Sequence, residues 1–266
     1  MVPFDELLAG PLPAADVREA YGADPLQFGE LRMPAGRGPF PLVVVIHGGC
    51  WRAAYDLRHA AREAGALAAA GFATWTIEYR RVGDAGGGWP GTFDDVAAAI
   101  AHVTTLAARH PIDTTRIVLV GHSAGGQLAL WAAARRGIAS RVPRVRGVVS
   151  LAGITDLRTY ATPSGGCGAA VPLLLGGMPD AQPARYDAVS PIALVPLGVP
   201  VRLVHGDADP IVPLAQSRSF ADRAHGAGDD ATLTVVPGAG HFDLVAPASA
   251  AWPAVLAAVR ALAGAP

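Results

Sequence analysis

The most informative stretch of the chain reads Arg116-Ile117-Val118-Leu119-Val120-Gly121-His122-Ser123-Ala124-Gly125-Gly126. Its apolar first half is typical of a buried strand, and the small and apolar residues that continue it are typical of a helix. The turn between them carries the pattern G-x-S-x-G, in which we expect no space for side chains at Gly121 and Gly125. Such a turn strains Ser123 and projects its hydroxyl beside a helix N-terminus, which favours a developing negative charge. We therefore predict that Ser123 is a nucleophile, with an ordinary glycine-rich turn as the alternative.

Strands and helices alternate along the rest of the chain. Apolar runs rich in β-branched residues lie at 41–46, 72–78, 116–120, 145–151, 201–205 and 232–236. Helical spacing lies between them, at 59–70, 92–109, 123–136, 214–226 and 250–263. This alternation predicts a doubly wound α/β fold, a mostly parallel sheet with helices on both faces. We also predict an antiparallel edge strand at 26–33 and a capping box formed by Thr92 and Asp95.

One interval breaks this alternation. No repeat or linker divides residues 1–266, so we predict a single domain. Residues 156–199 are instead rich in Gly, Pro and small side chains. A connection of this length inside a compact domain is usually a lid or a binding loop, although a passive excursion with short helices is the alternative. We predict a small lid at 156–199.

The composition excludes several classes of protein. All 21 basic residues are arginine, and the chain has neither lysine nor asparagine. Without lysine there is no Schiff-base enzyme, no pyridoxal phosphate anchor and no Walker A lysine, and without asparagine there is no N-glycosylation acceptor. A formal net charge of −1 argues against nucleic acid as a partner.

The sequence also carries no targeting or metal signal. No apolar run is long enough to cross a bilayer, and the acidic residues after Met1 do not resemble a signal peptide. The two cysteines, Cys50 and Cys167, are too few for a disulfide framework or a structural zinc site. We therefore expect a cytoplasmic protein with no metal, no cofactor, and neither a membrane nor a nucleic-acid partner.

A serine hydroxyl becomes a nucleophile when a base and an orienting acid assist it. Two loops directly after predicted strands offer these groups, Gly206-Asp207-Ala208-Asp209 and Gly238-Ala239-Gly240-His241. Ligands of α/β proteins lie at the carboxyl ends of the strands, where these loops begin. We predict His241 as the base, because most other histidines fall in predicted helices, strands or the serine turn. We predict Asp209 as the acid; Asp207, the alternative, would instead stabilise its own turn.

Negative charge on a reacting carbonyl oxygen is stabilised by backbone N–H groups. The first long strand is followed by His47-Gly48-Gly49-Cys50-Trp51, whose glycines allow the backbone to approach a ligand closely. We predict an oxyanion hole formed by the amides of Gly49, Cys50 and Ala124, in which Cys50 contributes only its backbone. An ordinary Gly-Gly turn is the alternative.

Six motifs together carry a resemblance: H-G-G-C-W at 47–51, E-Y-R at 78–80, G-G-G-W-P-G at 86–91, G-H-S-A-G-G at 121–126, H-G-D-A-D-P-I-V-P at 205–213 and G-A-G-H-F at 238–242. In these motifs the chain is similar to carboxylesterases of the α/β-hydrolase fold. It most resembles the branch with H-G-G-x-W, which includes kynurenine formamidases and small bacterial acyl esterases. The resemblance implies an α/β-hydrolase fold with the triad Ser123, Asp209 and His241, and an oxyanion hole in the H-G-G-C-W loop.

The resemblance also implies an activity. We expect a serine hydrolase that cleaves short-acyl esters of small molecules through an acyl-enzyme. An arylformamidase of the kynurenine formamidase type is the alternative, and a catalytically inactive hydrolase fold that only binds ligands is a remote one. Trp51, Trp89 and residues 156–199 are candidates for the pocket wall. For Trp89 the alternative is that it only anchors a flexible loop.

Overall fold

Eight strands form one sheet in the part of the chain that the structure describes, residues 1–134, 144–162 and 166–264 of a computed structural model. In chain order they are β1 (Val17–Ala20), β2 (Phe28–Arg32), β3 (Phe40–Ile46), β4 (Ala73–Ile77), β5 (Ile112–His122), β6 (Val145–Leu151), β7 (Val201–Gly206) and β8 (Ala231–Val236). Their order across the sheet is β1-β2-β4-β3-β5-β6-β7-β8. Strands β3 to β8 are parallel to one another, whereas β2 is antiparallel to both β1 and β4. The predicted mostly parallel sheet is confirmed.

The antiparallel end of the sheet differs from the prediction in one respect. Strand β2 lies within the expected segment 26–33, but it is not the edge. Strand β1 pairs outside it, with Val17 opposite Leu31. The side chains of β1 alternate between half-buried and exposed over only 4 residues. Strand β1 is too short and too polar for its hydrophobic pattern to predict a strand from the sequence.

Helices cover both faces of the sheet, as predicted. They are α1 (Phe4–Leu8), α2 (Ala61–Ala69), α3 (Gly91–Ala101), α4 (Val103–Ala107), α5 (Ala124–Ala134), α6 (Leu157–Tyr160), α7 (Ala170–Leu175), α8 (Pro183–Val189), α9 (Ala215–Gly226) and α10 (Trp252–Ala263), with 3₁₀ turns at Leu57–Ala60, Pro191–Ala193 and Phe242–Val245. Side chains alternate along β3. Leu42 and Val44 therefore join the core shared with α3, α5 and α9, while Val43 and Val45 join the core shared with α2 and α10.

The helix predicted at 92–109 is divided into α3 and α4 at His102. Its predicted capping box is wrong. The Thr92 hydroxyl donates to the carbonyl oxygen of Arg80, and the Asp95 carboxylate accepts hydrogen bonds from the side chains of Arg80 and Gln27. Both groups are buried against the segment after β4, so tertiary partners replace the local cap.

The insertion at 156–199 contains α6, α7 and α8. Its residues 163–165, and the end of the helix predicted at 123–136, lie outside the described residues. Cys167 in this insertion forms a disulfide bond with Cys50, and the two Cα atoms are 5.1 Å apart. Two cysteines are too few for a disulfide framework, and this single bond could not be predicted from the sequence because 117 residues separate its partners.

Candidate active site

Ser123 occupies the turn between β5 and α5. Its φ of +56° lies in the left-handed region that residues with a side chain rarely adopt. The Ser123 amide donates to the carbonyl oxygen of Leu151 at 2.8 Å, and the Ser123 carbonyl oxygen accepts from the amides of Gln127 and Ile154 at 3.2 and 3.3 Å. A strained backbone that its surroundings fix in this way is typical of a functional residue.

The two glycines of the G-x-S-x-G pattern have no space for a side chain, as predicted. A Cβ atom at Gly121 would lie 2.1 Å from the carbonyl oxygen of Gly125, and one at Gly125 would lie 2.0 Å from that of Ile46. Both obstacles are backbone atoms, which cannot rotate aside as a flexible side chain can. The start of α5 therefore packs directly on the ends of β3 and β5, and this packing fixes the position of Ser123.

The structure brings Asp209 and His241 together from the loops after β7 and β8. Nδ1 of His241 lies 2.6 Å from Oδ2 of Asp209, whose Oδ1 accepts from the amides of Ile211 and Val212 at 2.8 and 2.9 Å. The Asp209 side chain has no exposed surface. Burial raises its pKa, but hydrogen bonds from His205 and His241 and the charge of His241 outweigh burial, so the pKa lies well below its ordinary value. Asp209 is therefore ionised.

Asp207, the alternative acid, holds a turn. It is exposed, and its carboxylate accepts a hydrogen bond from the amide of Gly238 at 2.6 Å. This bond joins the loop after β7 to the loop after β8. The structure thus brings Asp209, and not Asp207, to His241.

The bond to Asp209 fixes the tautomer of His241. A carboxylate only accepts hydrogen bonds, so Nδ1 carries the proton and Nε2 presents a lone pair. Among the described residues, neither Nε2 of His241 nor Oγ of Ser123 has a hydrogen-bond partner. Ser123 directly follows His122, whose ring centroid lies 4.4 Å from that of His241. The hydroxyl and the free nitrogen thus belong to one region without being bonded to each other, and many active sites form this bond only when substrate binds.

Two buried histidines, His59 and His122, support the backbone of His241. Nε2 of His122 lies 2.9 Å from the carbonyl oxygen of His241, and Nδ1 of His122 lies 2.9 Å from Nε2 of His59. Because a carbonyl oxygen only accepts, His122 donates from Nε2 and accepts from His59 at Nδ1. Burial and the charge of His241 lower the pKa of His122 well below its ordinary value, and burial lowers that of His59 to about 3. Both rings are therefore neutral. Sequence reasoning missed this support, since no local pattern links the three histidines.

The candidate oxyanion loop has an unusual backbone. Gly49, Cys50 and Trp51 have φ angles of +110°, +53° and +54°. The amides of Gly49, Cys50 and Ala124 donate no hydrogen bond to any residue that the structure describes. Free N–H groups in a strained loop and at a helix start are what an oxyanion hole requires.

Glu78, in the E-Y-R motif, anchors the beginning of this loop. Its Oε1 lies 2.9 Å from Nε2 of His47 and 3.2 Å from Nη1 of Arg81. The hydroxyl of Tyr79 donates to the carbonyl oxygen of His47 at 2.9 Å, and the His47 and Tyr79 rings stack with centroids 4.4 Å apart. These buried contacts explain the E-Y-R motif as a brace for the loop.

The two tryptophans predicted on the pocket wall have different positions. Trp51 has no exposed surface, and its indole N–H donates to Oε1 of Gln127 at 3.1 Å, so the prediction for this residue is wrong. Trp89 is half-buried and lines a cavity of about 370 Å³ with Phe93 and Trp131. Trp131 lies two turns of α5, roughly 12 Å along the helix axis, beyond Ser123, and Ser123 is not among the residues that line this cavity.

Two further properties bear on the class of protein. Within residues 1–134, 144–162 and 166–264, no group of three or more His, Cys, Asp or Glu side chains is placed to hold a metal ion. None of the helices in these ranges is long and apolar enough to span a membrane.

Known proteins are similar to this chain in sequence. The BD-FAE family model matches residues 30–223. Esterase LipC of Mycobacterium tuberculosis is 28% identical over 247 residues, and the match covers 86% of this chain and 60% of that protein. Esterase LipQ of the same organism is 33% identical over 173 residues, and the match covers 59% of this chain and 40% of that protein. The chain thus spans only part of the length of both relatives.

Solved structures show the same architecture. A truncated form of a carbohydrate esterase from gut microbiota superimposes with a TM-score of 0.83 at 25% identity, over 95% of this chain and 99% of that one. Esterase B from Lactobacillus rhamnosis superimposes with a TM-score of 0.78 at 22% identity, over 97% and 90% of the two chains. The order of the strands, the turn at Ser123 and the Asp209–His241 pair are those of a protein with the α/β-hydrolase fold. The resemblance to carboxylesterases of that fold is therefore confirmed. Within this class, the chain belongs to the BD-FAE family.

Proposed function

We propose that the chain is a serine carboxylesterase that cleaves short-acyl esters of small molecules through Ser123, His241 and Asp209. One observation carries the proposal: the 2.6 Å bond to Asp209 holds His241 in the tautomer whose Nε2 can accept a proton. The strained conformation of Ser123 supports its role as nucleophile. LipC and the gut-microbiota protein are both named esterases, which supports an ester as the substrate.

In the first half-reaction, Nε2 of His241 removes the proton of the Ser123 hydroxyl as Oγ attacks the ester carbonyl carbon. The electron pair of the carbonyl bond moves to oxygen, and the amides of Gly49, Cys50 and Ala124 stabilise this oxyanion. When the intermediate collapses, the bond to the alcohol oxygen breaks and His241 protonates the leaving alkoxide. Asp209 stabilises the imidazolium between these two proton transfers.

In the second half-reaction, His241 deprotonates a water molecule that attacks the acyl-enzyme. The same three amides stabilise the second oxyanion, and His241 returns the proton to Ser123 Oγ as the carboxylic acid leaves. Every step uses groups of the chain and water. The neutral rings of His59 and His122 add no positive charge that would oppose protonation of His241.

An arylformamidase is the alternative within the same mechanism, because these groups would attack an N-formyl carbonyl in the same way. The esterase names of the relatives favour the ester. A comparison of kcat/KM for p-nitrophenyl acetate and N-formylkynurenine separates the two activities. A hydrolase fold that only binds ligands is disfavoured, since the Asp209–His241 pair is intact.

The direct test is labelling with a fluorophosphonate probe. We expect one labelled site, Ser123, and loss of both labelling and esterase activity in Ser123→Ala. Ser219→Ala is the matched control, because Ser219 is an exposed serine on α9 and should leave both signals unchanged. Labelling that persists in Ser123→Ala would remove the proposed nucleophile.

Two further expectations remain proposals. We infer that residues 156–199 form a lid over the site, and the disulfide between Cys167 and the oxyanion loop supports this inference.

A cytoplasmic location also stays a prediction, and the disulfide provides its test. In a reducing compartment Cys50 and Cys167 would be thiols, so trapping free thiols in cells distinguishes a reducing from an oxidising location.

A further inference from the structure

The Cys50–Cys167 disulfide has no role in the mechanism above, yet it ends on the candidate oxyanion loop. Cys50 carries one of the three amides assigned to the oxyanion hole. Cys167 belongs to the insertion and is 5% exposed. The disulfide therefore joins the oxyanion loop, whose Cys50 amide would contact the transition state, to the insertion at 156–199, which would cover the site.

The insertion is tied to the acid loop as well. The hydroxyl of Tyr160, at the end of α6, donates to the carbonyl oxygen of Ile211 at 3.0 Å, and the amide of Ile211 donates to Asp209. Burial and the charge of Asp209 raise the pKa of Tyr160 to about 12, so this hydroxyl remains a donor across the working pH range. The insertion thus connects to the acid loop through Tyr160 and to the oxyanion loop through Cys167.

Cys50 depends on this connection more than its neighbours in the loop do. Trp51 is held by its buried indole and by its carbonyl oxygen, which accepts from the amide of Val82 at 2.8 Å. Cys50 has a positive φ, and its amide and carbonyl bond to no other described residue. Apart from side-chain packing, the disulfide is therefore the one bond that fixes Cys50 to another described part of the chain. A strained conformation persists only where its surroundings over-determine it.

We propose that Cys167 is a positioning residue: through its disulfide it holds the amide of Cys50 in the oxyanion hole, and reduction of this disulfide slows the reaction. The inference rests on the proposed esterase function. A dithiol reductant would supply the chemistry, since one thiolate attacks a sulfur of the disulfide and forms a mixed disulfide. Its second thiolate then displaces the protein sulfur, which leaves two cysteine thiols and a cyclic oxidised reductant.

The test compares four samples: the wild type with the disulfide intact, the wild type reduced with dithiothreitol, and the variants Cys167→Ser and Cys50→Ser. The reductant is removed under nitrogen before assay, because free thiols cleave p-nitrophenyl esters by themselves. We expect kcat for p-nitrophenyl acetate to fall about tenfold or more in the reduced wild type and in Cys167→Ser, with KM within about twofold. Loss of an oxyanion donor affects the transition state and not substrate binding. Dithiothreitol should have no effect on Cys167→Ser.

Circular dichroism, the Tm and the rate of labelling at Ser123 separate positioning from general stabilisation. Circular dichroism at the assay temperature shows whether each variant is folded, and the rate of fluorophosphonate labelling of Ser123 should fall together with kcat. A lower Tm with unchanged kcat and labelling rate would overturn the proposal, and so would two titratable thiols in the untreated native protein. If the oxidised wild type neither turns over esters nor reacts at Ser123, the proposed function itself fails, and this inference fails with it.

Discussion

Nε2 of His122 donates a hydrogen bond to the carbonyl oxygen of His241, across 119 residues of sequence. The residue directly before the candidate nucleophile thus fixes the backbone of the candidate base. His122 in turn accepts a hydrogen bond at Nδ1 from Nε2 of His59. The relative position of the serine turn and the His241 loop therefore depends on a polar contact buried between them.

Replacing His122 by leucine should lower both stability and kcat. The substitution leaves the His241 carbonyl oxygen and the His59 Nε2–H buried without partners, and each such group costs about 1–3 kcal/mol. His122→Gln is the matched control, because its amide keeps a donor and an acceptor on a side chain of similar length. Urea unfolding and kcat for p-nitrophenyl acetate measure the effect. Wild-type values for both quantities in His122→Leu would contradict the assigned role.

Replacing Asp209 and Asp207 by asparagine, one at a time, should show which of the two is the catalytic acid. In Asp209→Asn the amide oxygen keeps the hydrogen bonds from Ile211 and Val212, and the NH2 group faces Nδ1 of His241. This arrangement favours the other His241 tautomer, so kcat should fall by about 10³- to 10⁴-fold, as expected for a triad acid. Asp207→Asn should change kcat little, because its amide oxygen can still accept from Gly238. The measurement is kcat/KM for each variant beside the wild type. The reverse order of the two losses would assign the acid to Asp207.

Glu63 should make the protein less stable as the pH rises. Its carboxyl group is buried in α2 with Oε1 unpaired, and burial raises its pKa to about 8. Because this pKa is higher in the folded state than in the unfolded state, the folded state holds the Glu63 proton more tightly. The free energy of unfolding is therefore highest below the unfolded-state pKa and falls as the pH rises towards 8. Glu63→Gln should therefore be more stable than the wild type at pH above 8, on the order of a few kcal/mol.

At acidic pH the same substitution should have little effect, since the wild-type carboxyl is then neutral like the amide. Unfolding by urea in acidic and in alkaline buffer provides this internal comparison. A Glu63→Gln variant whose gain in stability is the same in both buffers would show that Glu63 does not titrate in this range.

The acyl preference should favour short chains. The insertion at 156–199, which we propose as the lid, is rich in Gly, Pro and small residues, so it offers little rigid apolar surface for a long acyl chain. An added methylene gains about 0.8 kcal/mol only while apolar wall remains to bury it. We expect kcat/KM for p-nitrophenyl esters to be highest from acetyl to butyryl and lower for octanoyl. A steady rise through decanoyl would instead indicate a long apolar channel.

Most of the sheet and the individual functional groups could be predicted from local patterns. The continuous apolar runs of β3 to β7 reflect burial on both faces, a property that each strand carries in its own residues. The serine turn is equally local, because Gly121 and Gly125 are required by backbone contacts next to Ser123. Strand β1 and the partners of Thr92 were missed, since a short polar strand and a buried hydroxyl depend on what the rest of the fold places beside them.

The sequence by itself therefore determined the strand–helix alternation, the turn at Ser123 and the loops that carry Asp209 and His241. Only the tertiary structure decided which remote groups meet: it placed His122 and His59 behind the backbone of His241, buried Trp51 completely, and joined Cys50 to Cys167. The reason is physical. Periodicity and turn chemistry are set by neighbours along the chain, whereas a contact across 117 residues exists only after packing of the sheet and helices has brought its partners within reach.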